Sequence, residues 1–211
     1  LSGGDSDVSK QLADAFLPFI SNWKEKHLPP QVLLMLLQRI DHIDPQNTLD
    51  SESLLALAHV ELLPDKEEIR SSYLADVNND SQKELITLLN SCEVKVHHLD
   101  ADKSQPMTVD NQIIADALMK FGEDYRQSDT DDSVSCFEKA YALQPDAQTR
   151  AALTQAYQDQ AKKYEAQGDQ EAALSSSYKA LKTANTQESF VFYYDMNLRL
   201  STRGQDTAQA I

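Results

Sequence analysis

The sequence predicts a mainly α-helical protein with one small antiparallel β insert, an α+β arrangement. Apolar residues recur at intervals of three and four along the first third of the chain and again from about Val109 onward, as in amphipathic helices. Between these regions, short segments rich in β-forming residues alternate with polar turns. We therefore expect an N-terminal helical bundle, a three-stranded meander and then a helical solenoid.

Composition and charge restrict the class of partner. The chain carries 34 acidic and 19 basic residues, and the resulting net charge of −15 repels phosphate backbones and anionic lipids. No apolar run reaches the roughly 20 residues that a membrane-spanning helix needs. We therefore predict no nucleic-acid partner and no direct membrane insertion by this segment, and we expect a protein or peptide partner.

The N-terminal region, residues 5–64, is predicted to hold three helices. An apolar stripe that includes Phe16, Phe19 and Trp23 marks the first, over Asp7–His27. The run QVLLMLLQRIDHI is apolar almost all round, as expected of a buried helix, and SESLLALAHVELL follows a suitable N-cap at Asp50.

The region 65–105 changes to a strand-like pattern. SSYLADV, ELITLL and CEVKVHHL are short, rich in β-formers and separated by the polar turns NNDSQK and NS. Three such segments joined by tight turns predict an antiparallel meander, which needs helices beside it because so small a sheet is marginal alone.

The first turn of this meander is a candidate calcium site. Hard cations such as calcium take six to eight oxygen ligands, and alternating acidic and amide side chains in a tight loop bring several oxygens to one point. In DVNNDSQKE, one backbone carbonyl and four side chains could serve as ligands. The carbonyl is that of Gln82, and the side chains are those of Asp76, Asn78, Asp80 and Glu84.

Three known patterns fit this loop to different degrees. An EF-hand is disfavoured because Ser81 and Thr87 stand where that motif needs a glycine and a glutamate. The segment 71–102 resembles one FG-GAP or VCBS-type blade of a calcium-binding β-propeller, although Ser81 replaces its usual glycine and only one blade is present. A polar hairpin turn without an ion remains the alternative, since Asp and Asn favour turns in any case.

The C-terminal half repeats itself. Tyr125 and Tyr164 are 39 residues apart, and Ala140 and Ala180 are 40 apart, so a helical hairpin recurs about every 40 residues. The order of small and aromatic residues over 111–184 resembles the tetratricopeptide repeat (TPR). That resemblance implies a solenoid with a protein-binding surface. The repeat region is predicted to span 106–201.

A last helix, TQESFVFYYDMNLRL, is expected to cover the exposed face of the final hairpin. Its apolar side carries Phe190, Val191, Tyr194 and Leu198, which we predict to pack inward, and we place Tyr194 in the core. The segment 202–211 is polar and is expected to be a tail or linker.

No catalytic signature is present in the sequence. There is no HExxH, no GxSxG and no glycine-rich phosphate loop, and the chain has five glycines in all. The cysteines, Cys92 and Cys136, show no metal-ligand spacing, which leaves buried free thiols or one long-range disulfide.

We therefore expect a non-catalytic protein- or peptide-binding scaffold with a structural calcium loop, in an extracytoplasmic bacterial setting. A sensor or regulatory ectodomain of a membrane-anchored bacterial protein is the alternative function, and a cytoplasmic adaptor is the alternative location. A small hydrolase is the third possibility, and it would require a deep pocket lined by carboxylates or histidines.

Overall fold

The computed structural model describes residues 29–43, 51–64, 66–100 and 103–209. Contacts between Cα atoms divide the chain into two compact units, Leu1–Thr108 and Val109–Ile211. The expected fold class, mainly α with a small antiparallel β insert, is confirmed. The helix predicted over Asp7–His27 lies outside the described residues.

Two helices of the first unit form its apolar centre. Helix α1 spans Pro30–Ile43 and helix α2 spans Ser51–Val60. Leu33 and Leu37 are fully buried and lie in one cluster with Ala58 of α2, because the leucines recur on one side of α1.

The opposite side of α2 packs on a sheet. Ala56, Val60 and Leu63 share a buried cluster with Leu85, which lies in the second strand. A 3₁₀ turn over Lys66–Glu68 leads into the sheet. The strands, joined antiparallel in chain order, are β1 Ile69–Ala75, β2 Glu84–Leu89, β3 Val94–Asp100 and β4 Lys103–Met107.

The expectation of three strands is wrong, because β4 adds a fourth. Its sequence, KSQPM, contains no β-branched residue, and Pro106 cannot donate a hydrogen bond to a neighbour. An edge strand tolerates such a proline, and Pro106 lies opposite His97 of β3 at the edge of the sheet. Pairing to β3 therefore forms this strand, and it runs past the boundary that we predicted at 105.

The second unit contains five helices in chain order. Aspartates cap four of them, because a short carboxylate accepts the free N–H groups of the first turn. The capping residues are Asp110, Asp129, Asp146 and Asp169. The helices are α3 Asn111–Tyr125, α4 Thr130–Leu143, α5 Ala147–Gln167, α6 Gln170–Ala184 and α7 Gln187–Gln209.

Small residues let these helices approach one another. Gly122 of α3 lies against the ring of Phe137 in α4, where an added Cβ would come within 2.9 Å of the ring. Ala161 of α5 and Ala173 of α6 are fully buried in one cluster. Each helix therefore packs closely on the next one along the chain, as in a stacked helical repeat.

Our prediction of which side of α7 packs inward is wrong. Phe190, Val191, Tyr194 and Leu198 are 55, 56, 63 and 55% exposed. The helix instead buries the side that carries Ser189, Met196 and Leu200. It also continues through most of the segment that we expected to be a polar tail.

Two further observations bear on the sequence predictions. Neither cysteine forms a disulfide with a described residue, and Cys136 is buried whereas Cys92 is partly exposed. Among the described helices, none combines the length and the apolarity that a membrane span requires.

Candidate functional site

The acidic loop between β1 and β2 is ordered by its own side chains. The carboxylate of Asp76 accepts the backbone N–H groups of Asp80 at 3.2 Å and Ser81 at 2.9 Å. Asp80 in turn accepts the backbone N–H of Gln82 at 2.8 Å. These bonds fold the chain over the first carboxylate, as short acidic side chains do in turns.

Glu84, the first residue of β2, closes the loop from the sheet side. Its side chain is fully buried, and its carboxylate accepts the backbone N–H of Val77 at 3.0 Å and the side-chain amide of Asn78 at 3.3 Å. His98 Nδ1 lies 3.7 Å from the same carboxylate. The buried charge is therefore held by polar partners on both sides.

The predicted ligands converge on one amide group. Asn78 Nδ2 lies 3.0 Å from Asp80 Oδ2 and 3.3 Å from Glu84 Oε1, so two carboxylates face the same point. The side chains of Asp76, Asn78, Asp80 and Glu84 are thus brought together, whereas Gln82 joins them through its N–H and exposes its side chain. Within the described residues, no group of three or more His, Cys, Asp or Glu side chains is spaced to hold a metal ion.

Two residues of the loop adopt left-handed backbone conformations. Asn79 has φ 60° and Ser81 has φ 70°. Asparagine tolerates this region, but a serine there is strained relative to glycine. The strain lies at the position where the FG-GAP-like pattern would place glycine.

Sequence reasoning missed two groups of this site, His98 and the N–H of Val77. His98 lies beside Glu84 because of the way in which β2 pairs with β3. Leu85 lies opposite His97, which places the next residue of β3 level with Glu84. The register of a hairpin is fixed only when its turn is known, so His98 could not be assigned from spacing alone.

A second candidate site is an open groove on the helical repeat, of about 440 Å³. The Arg150 guanidinium lies in its wall and forms no hydrogen bond or ion pair with any described residue. Three alanines supply the apolar part of the lining. The groove is lined by Ala147, Arg150, Ala151, Thr154, Gln155 and Gln158 of α5 and by Ala184, Thr186, Glu188 and Ser189.

Polar contacts hold α5, which carries most of this groove, against α4. The Asp131 carboxylate accepts hydrogen bonds from Gln160 at 2.7 Å and Tyr164 at 2.9 Å and lies 3.2 Å from Lys163 Nζ. Burial opposes the charged form of Asp131, but these three partners outweigh it and hold the pKa of the carboxyl below its ordinary value.

Tyr157 forms another contact between α5 and α4. Burial, followed by the hydrogen bond that its hydroxyl donates to Glu138, raises the pKa of Tyr157 above the ordinary value of a tyrosine. These contacts hold α5 against α4.

Comparison with known proteins found no match for this chain among family models, curated proteins or solved structures.

Proposed function

We propose that this chain is a non-catalytic binding module that takes a peptide segment of a partner protein in the groove of its helical repeat. The observation that carries the proposal is the Arg150 guanidinium in the wall of that groove, which pairs with none of the described residues. An arginine has five N–H donors in a planar fork and binds carboxylates and carbonyls well. In an acidic protein, a cation left without a carboxylate partner is available for a ligand.

The rest of the lining suits an extended peptide. The carboxamides of Gln155 and Gln158 can both donate and accept, as the main chain of a peptide requires. Gln155 already donates to Asp159 at 3.0 Å, which holds its side chain in place. The alanine floor accepts small apolar side chains, and a mostly preformed concave surface with a few placed polar groups is typical of binding sites.

The resemblance of 111–184 to tetratricopeptide repeats supports the same function. Stacked helical hairpins present extended surfaces made of successive first helices, and they commonly serve to bind proteins. The groove lies along α5, the first helix of the second hairpin, and at the beginning of α7.

We also propose that the acidic loop holds a structural calcium ion. The support is that Asp80 and Glu84 both accept from the Asn78 amide and that Asp76 lies in the same loop, which brings three carboxylates together. When bound, calcium would supply positive charge among three carboxylates. The loop's own residues would then hold the turn while Glu84 anchors it to β2. A calcium-rich, extracytoplasmic environment suits such a site.

A peptide-display selection tests the groove. A random peptide library is panned on the full chain, and selected peptides are titrated by fluorescence anisotropy against the wild type and Arg150→Ala. A charge-assisted hydrogen bond contributes about 1.5–3 kcal/mol, so we expect Arg150→Ala to weaken binding by about 10- to 100-fold.

Lys139→Ala is the matched control. It removes one positive charge from an exposed position of α4 outside the groove lining and should leave the affinity unchanged. Selected peptides that bind the wild type and Arg150→Ala equally well would show that the groove is not the binding site.

A further inference from the structure

The groove of the helical repeat carries two opposite charges. The Arg150 guanidinium belongs to the beginning of α5, and the Glu188 carboxylate belongs to the first turn of α7. Both side chains are exposed. Within the part of the chain that the structure describes, they form no ion pair with each other or with a third side chain. The groove therefore offers a positive and a negative group to a ligand.

Caps at the beginning of the two helices hold the backbone that carries these charges. At α5, Asp146 accepts the N–H of Thr149 at 2.8 Å, and Thr149 accepts the N–H of Asp146 at 3.2 Å. At α7, Thr186 and Ser189 make the same exchange, at 3.3 and 3.1 Å. Such reciprocal bonds satisfy the free N–H groups of a helix start and fix the path of the chain there. Both charged residues are thus attached to ordered backbone before a ligand binds.

The charge of Glu188 is maintained near neutral pH, because its own backbone N–H and the Thr186 hydroxyl hold the pKa of its carboxyl below the ordinary value. The positive end of the α7 dipole also favours a carboxylate at this position. Arg150 is a cation near the positive end of α5, where the helix dipole gives it no support. Helix stability therefore accounts for Glu188 but not for Arg150.

Opposite charges in one groove restrict the chemistry of the peptide that binds there. An acidic side chain complements the fork of N–H donors on Arg150, and a lysine or arginine complements the Glu188 carboxylate. Side chains of an extended chain alternate in direction, so residues two positions apart face the same way, about 7 Å from each other. An open groove of about 440 Å³ has room for two side chains at that spacing.

We propose that Glu188 determines the specificity of the groove together with Arg150, and that the ligand is an extended peptide segment with an acidic and a basic residue two positions apart. This inference rests on the proposed function and adds to it the requirement for a basic residue. The order of the two residues sets the direction of the peptide between α5 and α7. A wholly acidic peptide fits less well, since its second carboxylate would face Glu188.

Double-mutant cycles between the chain and a peptide test the assignment. The probe is the tightest-binding peptide from the display selection, with its acidic and its basic residue each replaced in turn by glutamine. Glu188→Gln should weaken binding of the original peptide by about fivefold at low salt, and it should not affect the peptide that lacks the basic residue. Arg150→Ala should be coupled in the same way to the acidic residue of the peptide.

Exchange of the two charges provides a second test. The variant with Arg150→Glu and Glu188→Arg should bind the original peptide at least about tenfold more weakly, because like charges then meet at both positions. It should bind the peptide whose acidic and basic residues are exchanged about as tightly as the wild type binds the original. Failure of this rescue would show that the two charges do not face the ligand.

Glu171→Gln is the matched control. Glu171 is an exposed carboxylate in the first turn of α6, as Glu188 is in α7, but it lies outside the groove lining. Its replacement should therefore leave the affinity unchanged.

The outcomes separate this inference from the proposed function. If Arg150→Ala weakens binding and Glu188→Gln does not, the inference is wrong while the proposed function stands. If neither variant weakens binding, both are wrong. Selected peptides without an acidic and a basic residue two positions apart would overturn the inference alone. Displacement of the peptide by millimolar free alanine would also overturn it, because the ligand would then be a single amino acid.

Discussion

The sheet and the helical repeat bury polar groups in different ways. In the repeat, several buried polar groups are bonded between neighbouring helices, as Ser133 of α4 is to the Gly122 carbonyl of α3 at 2.7 Å and Ser176 of α6 is to Gln160 of α5 at 2.9 Å. In the sheet, the buried Glu84 takes backbone and amide donors from the loop that precedes it. These hydroxyl and amide groups of the repeat are thus bonded through helix packing, whereas the end of the sheet depends on the order of one acidic loop.

This difference indicates separate roles for the two regions. A rigid stack of helices with nearest-neighbour contacts is suited to presenting a surface to a partner. A loop that is held by carboxylates is suited to being stabilised by a cation, because the ion reduces the repulsion among them. The following experiments test the contrast, beginning with the largest expected effect.

Removing a core ring should affect the repeat most. Phe137 is 1% exposed and lies in the cluster that joins α4 to α5, so Phe137→Ala should lower the free energy of unfolding by about 3–5 kcal/mol. Phe190→Ala removes the same ring from the exposed stripe of α7 and should change it by about 0.5 kcal/mol or less. Urea denaturation of both variants measures the difference, and similar losses would contradict the exposure of Phe190.

Removing the buried carboxylate should destabilise the sheet. Glu84→Ala leaves the N–H of Val77 without its acceptor and removes one of the two acceptors of the Asn78 amide, at a cost of about 1–3 kcal/mol. Glu84→Gln keeps one acceptor oxygen and should therefore lose less stability. Glu93→Ala changes an exposed position and should lose almost none. The same denaturation experiment applies, and an equal stability of Glu84→Ala and Glu93→Ala would refute the anchoring role of Glu84.

Filling the closest helix contact should also cost stability. A methyl group on Gly122 would come within 2.9 Å of Phe137, so Gly122→Ala should destabilise the protein by about 1–3 kcal/mol. Combining it with Phe137→Leu should recover part of that loss, because the smaller side chain makes room. A double-mutant cycle in thermal melts measures the coupling, and simple additivity would show that the two positions do not touch.

The smallest expected effect is a change in the stability contributed by Asp131 as the pH falls. Because its partners lower the pKa of Asp131 in the folded state, Asp131 adds stability above the pKa of the unfolded chain, near 3.9, and that stability is lost as the pH falls through the folded value. The side chain is half exposed, so the effect should be below about 1 kcal/mol. We expect Asp131→Asn to be less stable than the wild type at pH 7 and to approach it at pH 3. If the wild type and Asp131→Asn differ in stability by the same amount at pH 3 and pH 7, the partners of Asp131 do not lower its pKa.

The repeat was predictable because its signals are local. Tyr125 and Tyr164 are 39 residues apart and Ala140 and Ala180 are 40 apart, and small residues at that spacing allow helices to pack closely. Strand β4 was not predictable, since Pro106 and its polar neighbours have low strand propensity and pairing to β3 decides their conformation. Which side of α7 packs was also beyond the sequence, because apolar residues occur all round that helix and the choice depends on the neighbours of Met196 and Leu200.

The acidic loop was predictable only in part. Alternating Asp and Asn residues indicated a polar loop with converging oxygens, and the structure brings four of the five residues together. The contribution of His98 depends on strand register, which the spacing of residues in the sequence does not determine.

Hydrogen exchange with and without calcium tests the central claim, that the loop serves the sheet and the repeat serves binding. At calcium well above the dissociation constant, stabilisation of about 2–3 kcal/mol is expected for a 100-fold excess. It should appear as slower exchange over 69–100, leave 111–209 unchanged and vanish in a variant with Asp76→Ala and Asp80→Ala. No change in exchange up to millimolar calcium, or protection that appears in the repeat instead, would contradict the account.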